Sequence, residues 1–430
     1  MPPITDTSFL RLTIPRCGRL TPKGDLAAGS GVARRNEGIL MDELKGFFAV
    51  VWKKRFCTRV RRLVAAGFAL AVVAGLLILP SGCRRASFDP RPSADISPDQ
   101  LFMFAALQAP QAATGPAALK VDLGRRLYYD THLSVNNSTS CNSCHELMHY
   151  GVDPGQPVSL GFDKKAGGRN SPTVYNAGLQ FAQFWDGRAS TLAAQASGPM
   201  MNPVEMGMPG PDAVLTYLHA NANYVKQFKQ IYTDTKDPVT MDNVTDAIAS
   251  FEARLLTPAR WDEYLKGNQQ ALSDDEKEGL RVYLRSGCAS CHAGVGMGGN
   301  SYAKLGAVKD WSDQESDTGR MALTRQQRDL MYFKVPLLRN VVQTGPWFHD
   351  GKVTTIDEAV RLMGEHELGR KFTDSEVKSI VAFLNALTGP IPQEFIQPQP
   401  EQAPAGTVRN TTSLKQKTDL RGTIAVEKGE

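Results

Sequence analysis

Cysteine is scarce through most of this 430-residue chain. Of its seven cysteines, the three that lie outside two short motifs are Cys17, Cys57 and Cys83, all in the first fifth of the sequence. This distribution excludes a disulfide framework for the main part of the chain. Runs of β-branched residues of strand length are also few, which favours a mostly helical fold over an all-β fold.

Excess positive charge is absent from residues 63–430. Residues 1–62 contain 13 Lys/Arg and 5 Asp/Glu, a net charge of +8, whereas the whole chain carries +5. Residues 63–430 therefore carry −3 (+5 minus +8). Because the basic character belongs to the N-terminal segment alone, it predicts no nucleic-acid partner.

One apolar run, residues 63–79, contains no charged residue and follows a cluster of Lys and Arg. This pattern predicts a secretory signal peptide or a short membrane anchor over residues 63–82, preceded by a disordered basic leader at 1–62. Met41 is a more conventional start for such a signal. Leu79-Pro80-Ser81-Gly82-Cys83 resembles a lipoprotein processing site, which leaves lipidation at Cys83 open. Each alternative predicts an exported, periplasmic protein, with a membrane tether left open.

Two C-x-x-C-H motifs contain the other four cysteines, at Cys141-Asn-Ser-Cys144-His145 and Cys288-Ala-Ser-Cys291-His292. This motif attaches haem c: both thiols add to the haem vinyl groups, and the adjacent imidazole becomes the proximal iron ligand. A bare C-x-x-C is also typical of a redox pair or half a zinc site. Two complete copies favour two covalently bound haems, with His145 and His292 on the irons.

Four segments show helical apolar spacing and good helix-forming residues. We predict helices over residues 116–129, 242–256, 273–286 and 374–387, the third with Ser273 and Glu276 as a capping box. Residues 83–98 and 391–430 are polar and proline-bearing, and they predict a linker and a tail.

An approximate internal repeat divides the globular part. A predicted helix precedes each haem motif, and an aromatic-Asp-Gly segment follows each one, at Trp185-Asp186-Gly187 and at Phe348-His349-Asp350-Gly351. The motif starts lie 147 residues apart (288 minus 141), a suitable size for one small helical domain. The predicted fold is mostly α, with two tandem c-type cytochrome-like helical domains at 99–257 and 258–390, each carrying one covalent haem.

Several further blocks accompany the haem motifs. They are residues 168–173 (GRNSPT), 183–188 (QFWDGR), Gln195 with Gly198-Pro199, 202–206 (NPVEM), 334–341 (KVPLLRNV), 344–351 (TGPWFHDG) and 359–364 (AVRLMG). With these blocks in this order, residues 97–392 resemble the bacterial di-haem cytochrome c peroxidases and their relatives, the MauG enzymes.

The resemblance implies a role for four residues. Glu205 matches the family's distal acid/base carboxylate and Gln195 the amide beside it, although an isolated glutamate is more often a solvated surface residue. Met363 matches the methionine ligand of the second haem, with Met297 and Met331 as the other candidates and core packing as the competing interpretation. Trp185 matches a tryptophan between the haems that assists electron transfer; packing there does not exclude that role.

The resemblance also implies a calcium ion between the two halves. Asn170 and the backbone carbonyls of Thr344 and Pro346 match its ligands, which are the hard oxygens that calcium prefers. His349 and Arg339 are expected near the second haem or its propionates. His132, His219 and His366 are expected to be structural or solvated. His149, the one nearby substitute for a distal histidine, lies four residues beyond His145 and is expected on the proximal side, in a structural role or beside the proximal ligand.

One segment departs from the commonest family pattern. Many members carry a histidine in Ser-x-Gly-His that caps the peroxide-reducing iron at rest, and the matching residues here are Ser159-Leu160-Gly161-Phe162. Phenylalanine cannot bind iron. We therefore expect the first haem to have no distal protein ligand, so that activity does not require prior reduction.

The sequence thus predicts a cytochrome c peroxidase that reduces hydrogen peroxide to water. Its expected electron donor is a small c-type cytochrome or a cupredoxin that reduces the second haem. The first alternative is a MauG-like enzyme that oxidises a partner protein; Met363 argues against it, because MauG enzymes carry a tyrosine there. The second alternative is a non-enzymatic di-haem electron carrier, which would have no use for Glu205. A homodimer, common among such relatives, stays open.

Overall fold

Residues 96–311 and 317–398 are described by a computed structural model of the chain. The leader, the apolar run at 63–82 and most of the predicted linker and tail lie outside these residues. The structure is mainly α-helical, as the sequence predicts. Its helices are α1 Gly115–Tyr129, α2 Cys141–Cys144, α3 Leu192–Met201, α4 Pro211–Ala220, α5 Ala222–Ile231, α6 Met241–Glu252, α7 Arg260–Leu265, α8 Asp274–Ser286, α9 Met321–Thr324, α10 Ile356–Leu368 and α11 Asp374–Asn385.

The predicted helices form, with small differences at their ends. Helix α8 begins after Ser273, whose hydroxyl accepts a hydrogen bond from the Glu276 backbone while the Glu276 carboxylate accepts one from the Ser273 backbone. Helix α6 ends at Glu252 instead of residue 256, and α11 at Asn385 instead of 387. After each of these two helices the chain turns. The carbonyl of Leu255 or Leu387 then accepts a hydrogen bond from a backbone amide outside the helix.

Strands are short in the described residues. Strand β1 (Tyr302–Lys304) pairs antiparallel with β2 (Tyr332–Lys334), with Ala303 opposite Phe333. Short 3₁₀ turns complete the regular structure, including one at Cys288–Ser290 in the second haem motif. None of the helices in residues 96–311 and 317–398 is long and apolar enough to span a membrane.

The two halves repeat the same helix crossing. Gly124 of α1 packs against α6, where a Cβ atom would lie 1.9 Å from the carbonyl oxygen of Ala247. Gly279 of α8 packs in the same way against α11, with the Ser379 carbonyl oxygen at 1.8 Å. Because only glycine permits this approach, both helix pairs cross closely, and the first helix of each pair precedes a haem motif. The predicted repeat is therefore present in the packing.

A buried hydrogen-bond cluster joins the halves at Thr257. The side-chain amides of Asn176 and Asn340 donate to the Thr257 hydroxyl at 2.8 and 2.9 Å. Both asparagines adopt a left-handed backbone with φ of 61°. The same threonine thus connects equivalent positions of the two halves, at the place where the sequence predicts the domain boundary.

The two ends of the described segment each pack on the opposite half. Ile96 and Phe104, which precede the first motif, pack in the core of the second half with Trp261. Phe395, at the start of the predicted tail, packs edge-on against Phe251 in the first half, and its carbonyl accepts a hydrogen bond from Tyr129. The described part of the tail therefore lies on the surface of the first half.

Candidate active site

The first haem motif lines a cavity that we name the first cavity. Its single helical turn, α2, places Cys141 and Cys144 with His145 along one wall. The cavity has a volume of about 1890 Å³, including the part open to solvent. The two thiols and the imidazole that a covalently bound haem needs therefore lie on the wall of one cavity.

His145 is fixed by two backbone hydrogen bonds. Its Nδ1 lies 2.9 Å from the Pro172 carbonyl oxygen, and the Tyr128 hydroxyl donates to the His145 carbonyl at 2.6 Å. Because a carbonyl only accepts, Nδ1 carries the proton and Nε2 is left for a metal. Burial lowers the pKa of the imidazole, which keeps it neutral, as a ligand must be.

Glu205 and Gln195 line the same cavity. Gln195 lies on α3, and Glu205 lies in the turn that follows this helix. Asn202 donates its side-chain amide to Glu205 Oε1 at 2.7 Å. Burial raises the pKa of the Glu205 carboxyl, while Arg188 and Asn202 oppose the shift. The site therefore holds a carboxyl with a proton affinity above that of an exposed glutamate, which suits a group that accepts and returns a proton.

Phe162 packs away from the iron-binding groups. Its ring lies against Gly207, where a Cβ atom would come within 2.3 Å of it, and Phe162 is not part of the cavity wall. Among the described residues that line the first cavity, His145 is the single histidine. His149 is half-exposed and pairs instead with Glu146 at 2.8 Å. No second imidazole from the described residues faces His145 across this cavity.

The second haem motif lines another cavity, which we name the second cavity. Cys288, Cys291 and His292 form part of its wall together with Met363 of α10, and its volume is about 1720 Å³ including the open part. The Tyr283 hydroxyl donates to the His292 carbonyl at 2.5 Å, as Tyr128 does in the first half. Burial lowers the pKa of His292 to about 4, so this imidazole is also neutral. Its buried Nδ1 lies beside the backbone of Met297 and Pro336 without a hydrogen bond of normal geometry.

The other candidate ligands of the second iron lie elsewhere. Met297 and Met331 are fully buried in apolar clusters and are not part of either cavity wall. His349 lines the second cavity and stacks on Phe333, with ring centroids 4.5 Å apart. Arg339 differs from the expectation: it forms a fully buried ion pair with Asp262 at 2.6 Å and lines neither cavity. The guanidinium is held there because a buried charge needs a paired partner.

The remaining histidines have structural contacts. The Nδ1 of His132 lies 2.9 Å from Asp130, and the ring stacks on Tyr217. His219 is bound to Asp237, and the buried His366 packs against Trp311. These contacts agree with the structural role expected for them.

A wall of shared residues separates the cavities. Trp185 and Asn170 line both of them, and the Trp185 indole donates to the Asn170 carbonyl at 2.9 Å. Thr344 and Pro346, the other calcium candidates, line the second cavity with Asn170. The described residues contain no cluster of three His, Cys, Asp or Glu suited to a metal ion. A cation at this wall would therefore depend on amide and carbonyl oxygens.

Lys334 and Glu252 are among the charged wall residues that were not predicted as functional. Lys334 lines both cavities, and Glu252 of α6 lines the first. Burial raises the pKa of Glu252 to about 8, and its Oε2 has no hydrogen-bond partner. Lys334 stands in a block already singled out in the sequence, but its burial depends on contacts with residues more than 100 positions away. An alignment of the two halves is the signal that could have found both residues.

The residues of both cavities fit haem c. Each cavity combines two thiols, a buried neutral imidazole and a largely apolar wall, which are the groups that covalent haem attachment and proximal ligation require.

Comparisons with known proteins agree with this assignment. The family model described as "Di-haem cytochrome c peroxidase" matches residues 118–270. The cytochrome c551 peroxidase of Nitrosomonas europaea is 42% identical over 287 residues, which cover 66% of this chain and 85% of that protein. The cytochrome c551 peroxidase of Pseudomonas aeruginosa is 42% identical over 276 residues, covering 63% and 79%.

A solved structure has the same fold. It is a MauG-like protein associated with microbial copper homeostasis, with a TM-score of 0.58 and 25% identity, covering 68% of this chain and 94% of that one. Taken with the two C-x-x-C-H motifs, each on its own cavity wall, these similarities establish that the chain belongs to the di-haem cytochrome c peroxidase family.

Proposed function

We propose that this protein is a cytochrome c peroxidase that reduces hydrogen peroxide to two waters, with two electrons and two protons consumed in each turnover. Peroxide reacts in the first cavity, and electrons enter at the second. The observation that carries the proposal is the difference between the two cavities: Glu205 and Gln195 line the first, whereas Met363 lines the second.

Glu205 moves the proton that peroxide cleavage requires. Its carboxylate would accept a proton from one oxygen of peroxide and return it to the other, so that the O–O bond breaks with water as the leaving group. Burial raises the pKa of Glu205, and Arg188 opposes this shift. A carboxyl with a raised proton affinity suits both steps. Gln195 orients peroxide beside the carboxylate. Haem iron, when bound, supplies the open coordination position and the electrons.

Met363 gives the second cavity a different role. A thioether ligand favours ferrous over ferric iron, which suits a centre that receives electrons from a donor protein. Trp185 lies in the wall common to both cavities and provides a short aromatic path between them. We propose a small c-type cytochrome or a cupredoxin as the donor.

Three further features belong to the proposal. Each half, 99–257 and 258–390, is a domain with one covalent haem, and calcium bound by Asn170, Thr344 and Pro346 fixes their contact. The protein acts in the periplasm, because haem is attached to such motifs outside the cytoplasm. The apolar segment at 63–82 directs export.

Peroxide-dependent oxidation of a reduced small cytochrome tests the proposed activity. We expect steady turnover by purified protein matured in a periplasm, with two covalent haems found by mass spectrometry. An intact di-haem protein that oxidises no cytochrome, but modifies a protein partner when peroxide is added, would instead support a MauG-like activity. Intact protein without either reaction would be an electron carrier.

The resting ferric spectrum tests the open first haem. We expect one high-spin, five-coordinate or water-bound haem and one low-spin haem, with turnover that begins without a lag. The Phe162→His variant restores the usual Ser-x-Gly-His segment and should show two low-spin haems, with a lag that prior reduction removes. Two low-spin haems in the unaltered protein would contradict the proposal.

A further inference from the structure

The segments between the cavities are related by a local twofold pseudosymmetry. The Asn170 backbone amide donates to the His349 carbonyl at 2.8 Å, and the Lys334 amide donates to the Trp185 carbonyl at 2.7 Å. Lys334 lies 164 positions after Asn170 (334 minus 170), and His349 lies 164 positions after Trp185 (349 minus 185). The relation exchanges Asn170 with Lys334 and Trp185 with His349.

The same relation exchanges two residues that bind cations. Thr344 is the counterpart of Gln180, again 164 positions later (344 minus 180). The Lys334 ammonium donates a hydrogen bond to Gln180 Oε1. Asn170 and Thr344 are two of the proposed calcium ligands. One position of the pseudosymmetric pair therefore holds a lysine ammonium, and the other is the proposed calcium position.

Lys334 lacks a carboxylate partner among residues 96–311 and 317–398. Its side chain is only 6% exposed, and burial lowers its pKa to about 8. Two acids of the first cavity wall, Asp186 and Asp317, are both bound by Arg169, at 2.9 and 2.6 Å. A buried ammonium without an anion is costly, so an anion from outside the protein would stabilise its charged form.

We propose that Lys334 binds a propionate carboxylate of a bound haem and acts as the fixed counterpart of the calcium ion across the pseudosymmetry axis. The inference rests on the proposed function only in that both cavities hold haem. Lys334 lines both cavities, and propionates are the anions that this cofactor brings. The ammonium also raises the reduction potential of that haem, because reduction removes one unit of positive charge from the iron.

Potentiometric titration of holoprotein variants tests this role. We expect Lys334→Met to shift the reduction equilibrium of at least one haem tenfold toward the oxidised form. For a one-electron couple this lowers the midpoint potential by about 59 mV. Lys334→Arg keeps the charge and should change that equilibrium less than threefold. Lys304→Met is the matched control, since Lys304 also lines the second cavity but is partly exposed and paired with Asp310 at 2.8 Å; it too should stay below threefold.

A second variant covers the case in which Lys334→Met fails to load haem. Gln180→Glu places a carboxylate on the Lys334 ammonium, cancels its charge within the protein and should lower the same potential as Lys334→Met does. Unchanged potentials in Gln180→Glu, or equal shifts in Lys334→Met and Lys304→Met, would overturn the proposal. Peroxide turnover is measured separately, so a shifted potential in a protein without turnover would disprove the peroxidase activity and leave the role of Lys334 intact.

Discussion

The first and second cavities are alike around the proximal histidine and differ on their other walls. Tyr128 and Tyr283 each donate to the carbonyl of a motif histidine, and a glycine one helical turn earlier allows each helix crossing. The opposite walls share little: Glu205 faces the first cavity, and Met363 the second. The comparison teaches that the repeated frame surrounds the motif histidine in each half, whereas the residues outside the repeat make the two cavity walls different.

Helices α6 and α11 show the same contrast between repeated and differing residues. Phe251 and Phe383 pack under equivalent glycines, yet the next residue is Glu252 in the first half and Leu384 in the second. Both line their respective cavities. A carboxyl group thus replaces an apolar side chain in the half that is proposed to react with peroxide.

The largest expected effect comes from removing one attachment site. The Cys141→Ala/Cys144→Ala variant should lose one covalent haem and all peroxide turnover, because the thioether bonds hold the reacting centre. The Cys288→Ala/Cys291→Ala variant should lose the other haem and the supply of electrons. Mass spectrometry counts the haems, and Cys57→Ala serves as control. Peroxide turnover that survives without the first haem would reverse the assignment of the two cavities.

Glu205→Gln should have the next largest effect. Loss of a positioned acid/base group lowers rates by roughly 10²–10⁴-fold, and we expect kcat to fall within this range. Haem content and both midpoint potentials should stay unchanged, since glutamine has the same shape. Glu358→Gln, at an exposed position on α10, controls for general effects of the substitution. Full activity in Glu205→Gln would remove the proposed proton transfer.

Met363→His should change the second cavity alone. Replacing a thioether by an imidazole lowers the potential of the second haem, within the roughly 0.8 V range that axial ligands control. Electron entry from a donor of high potential should then slow, while the first haem keeps its resting spectrum. The potential is measured by spectroelectrochemistry. Met297→His is the comparison, because Met297 is buried in the core and should not change the spectrum of the second haem.

The smallest effect concerns Glu252 and pH. Burial raises its pKa to about 8, from about 4.3 in an unfolded chain, so between these pH values only the native state holds the proton. Stability from this group is therefore complete below pH 4 and is lost as pH rises through 8, by at most about 1.4 kcal/mol per pH unit. Compared with wild type, Glu252→Gln should gain stability as pH rises from 5 to 8 in urea unfolding.

Glu276 provides a control of opposite sign. It is buried like Glu252, but it binds Arg260. This ion pair and the hydrogen bonds of the Ser273 cap together lower the pKa of Glu276. Its contribution is present above the pKa of the unfolded chain and is lost as pH falls. Glu276→Gln should therefore be less stable than wild type near neutral pH, with a difference that narrows under acid. Parallel pH profiles for the two variants would refute both assignments.

Much of the frame could be predicted because its signals are local. The capping box at Ser273 and Glu276 involves neighbours three positions apart, and the five-residue haem motifs carry their chemistry within themselves. Arg339 shows the limit: its position in a singled-out block suggested a contact with haem, but Asp262, 77 positions away, binds it in the core. Sequence order does not reveal which distant partner satisfies a buried charge.

The sequence by itself determined the two attachment sites, the mostly helical fold and the family, because each depends on short, ordered groups of residues. The tertiary structure alone decided which side chains share a cavity wall: Trp185 and Lys334 between both cavities, Phe162 turned away from the first, Glu252 buried without a partner. The physical reason is that burial and hydrogen bonding between residues far apart in the chain exist only once the halves pack together, and these contacts set the charge and proton affinity of each site.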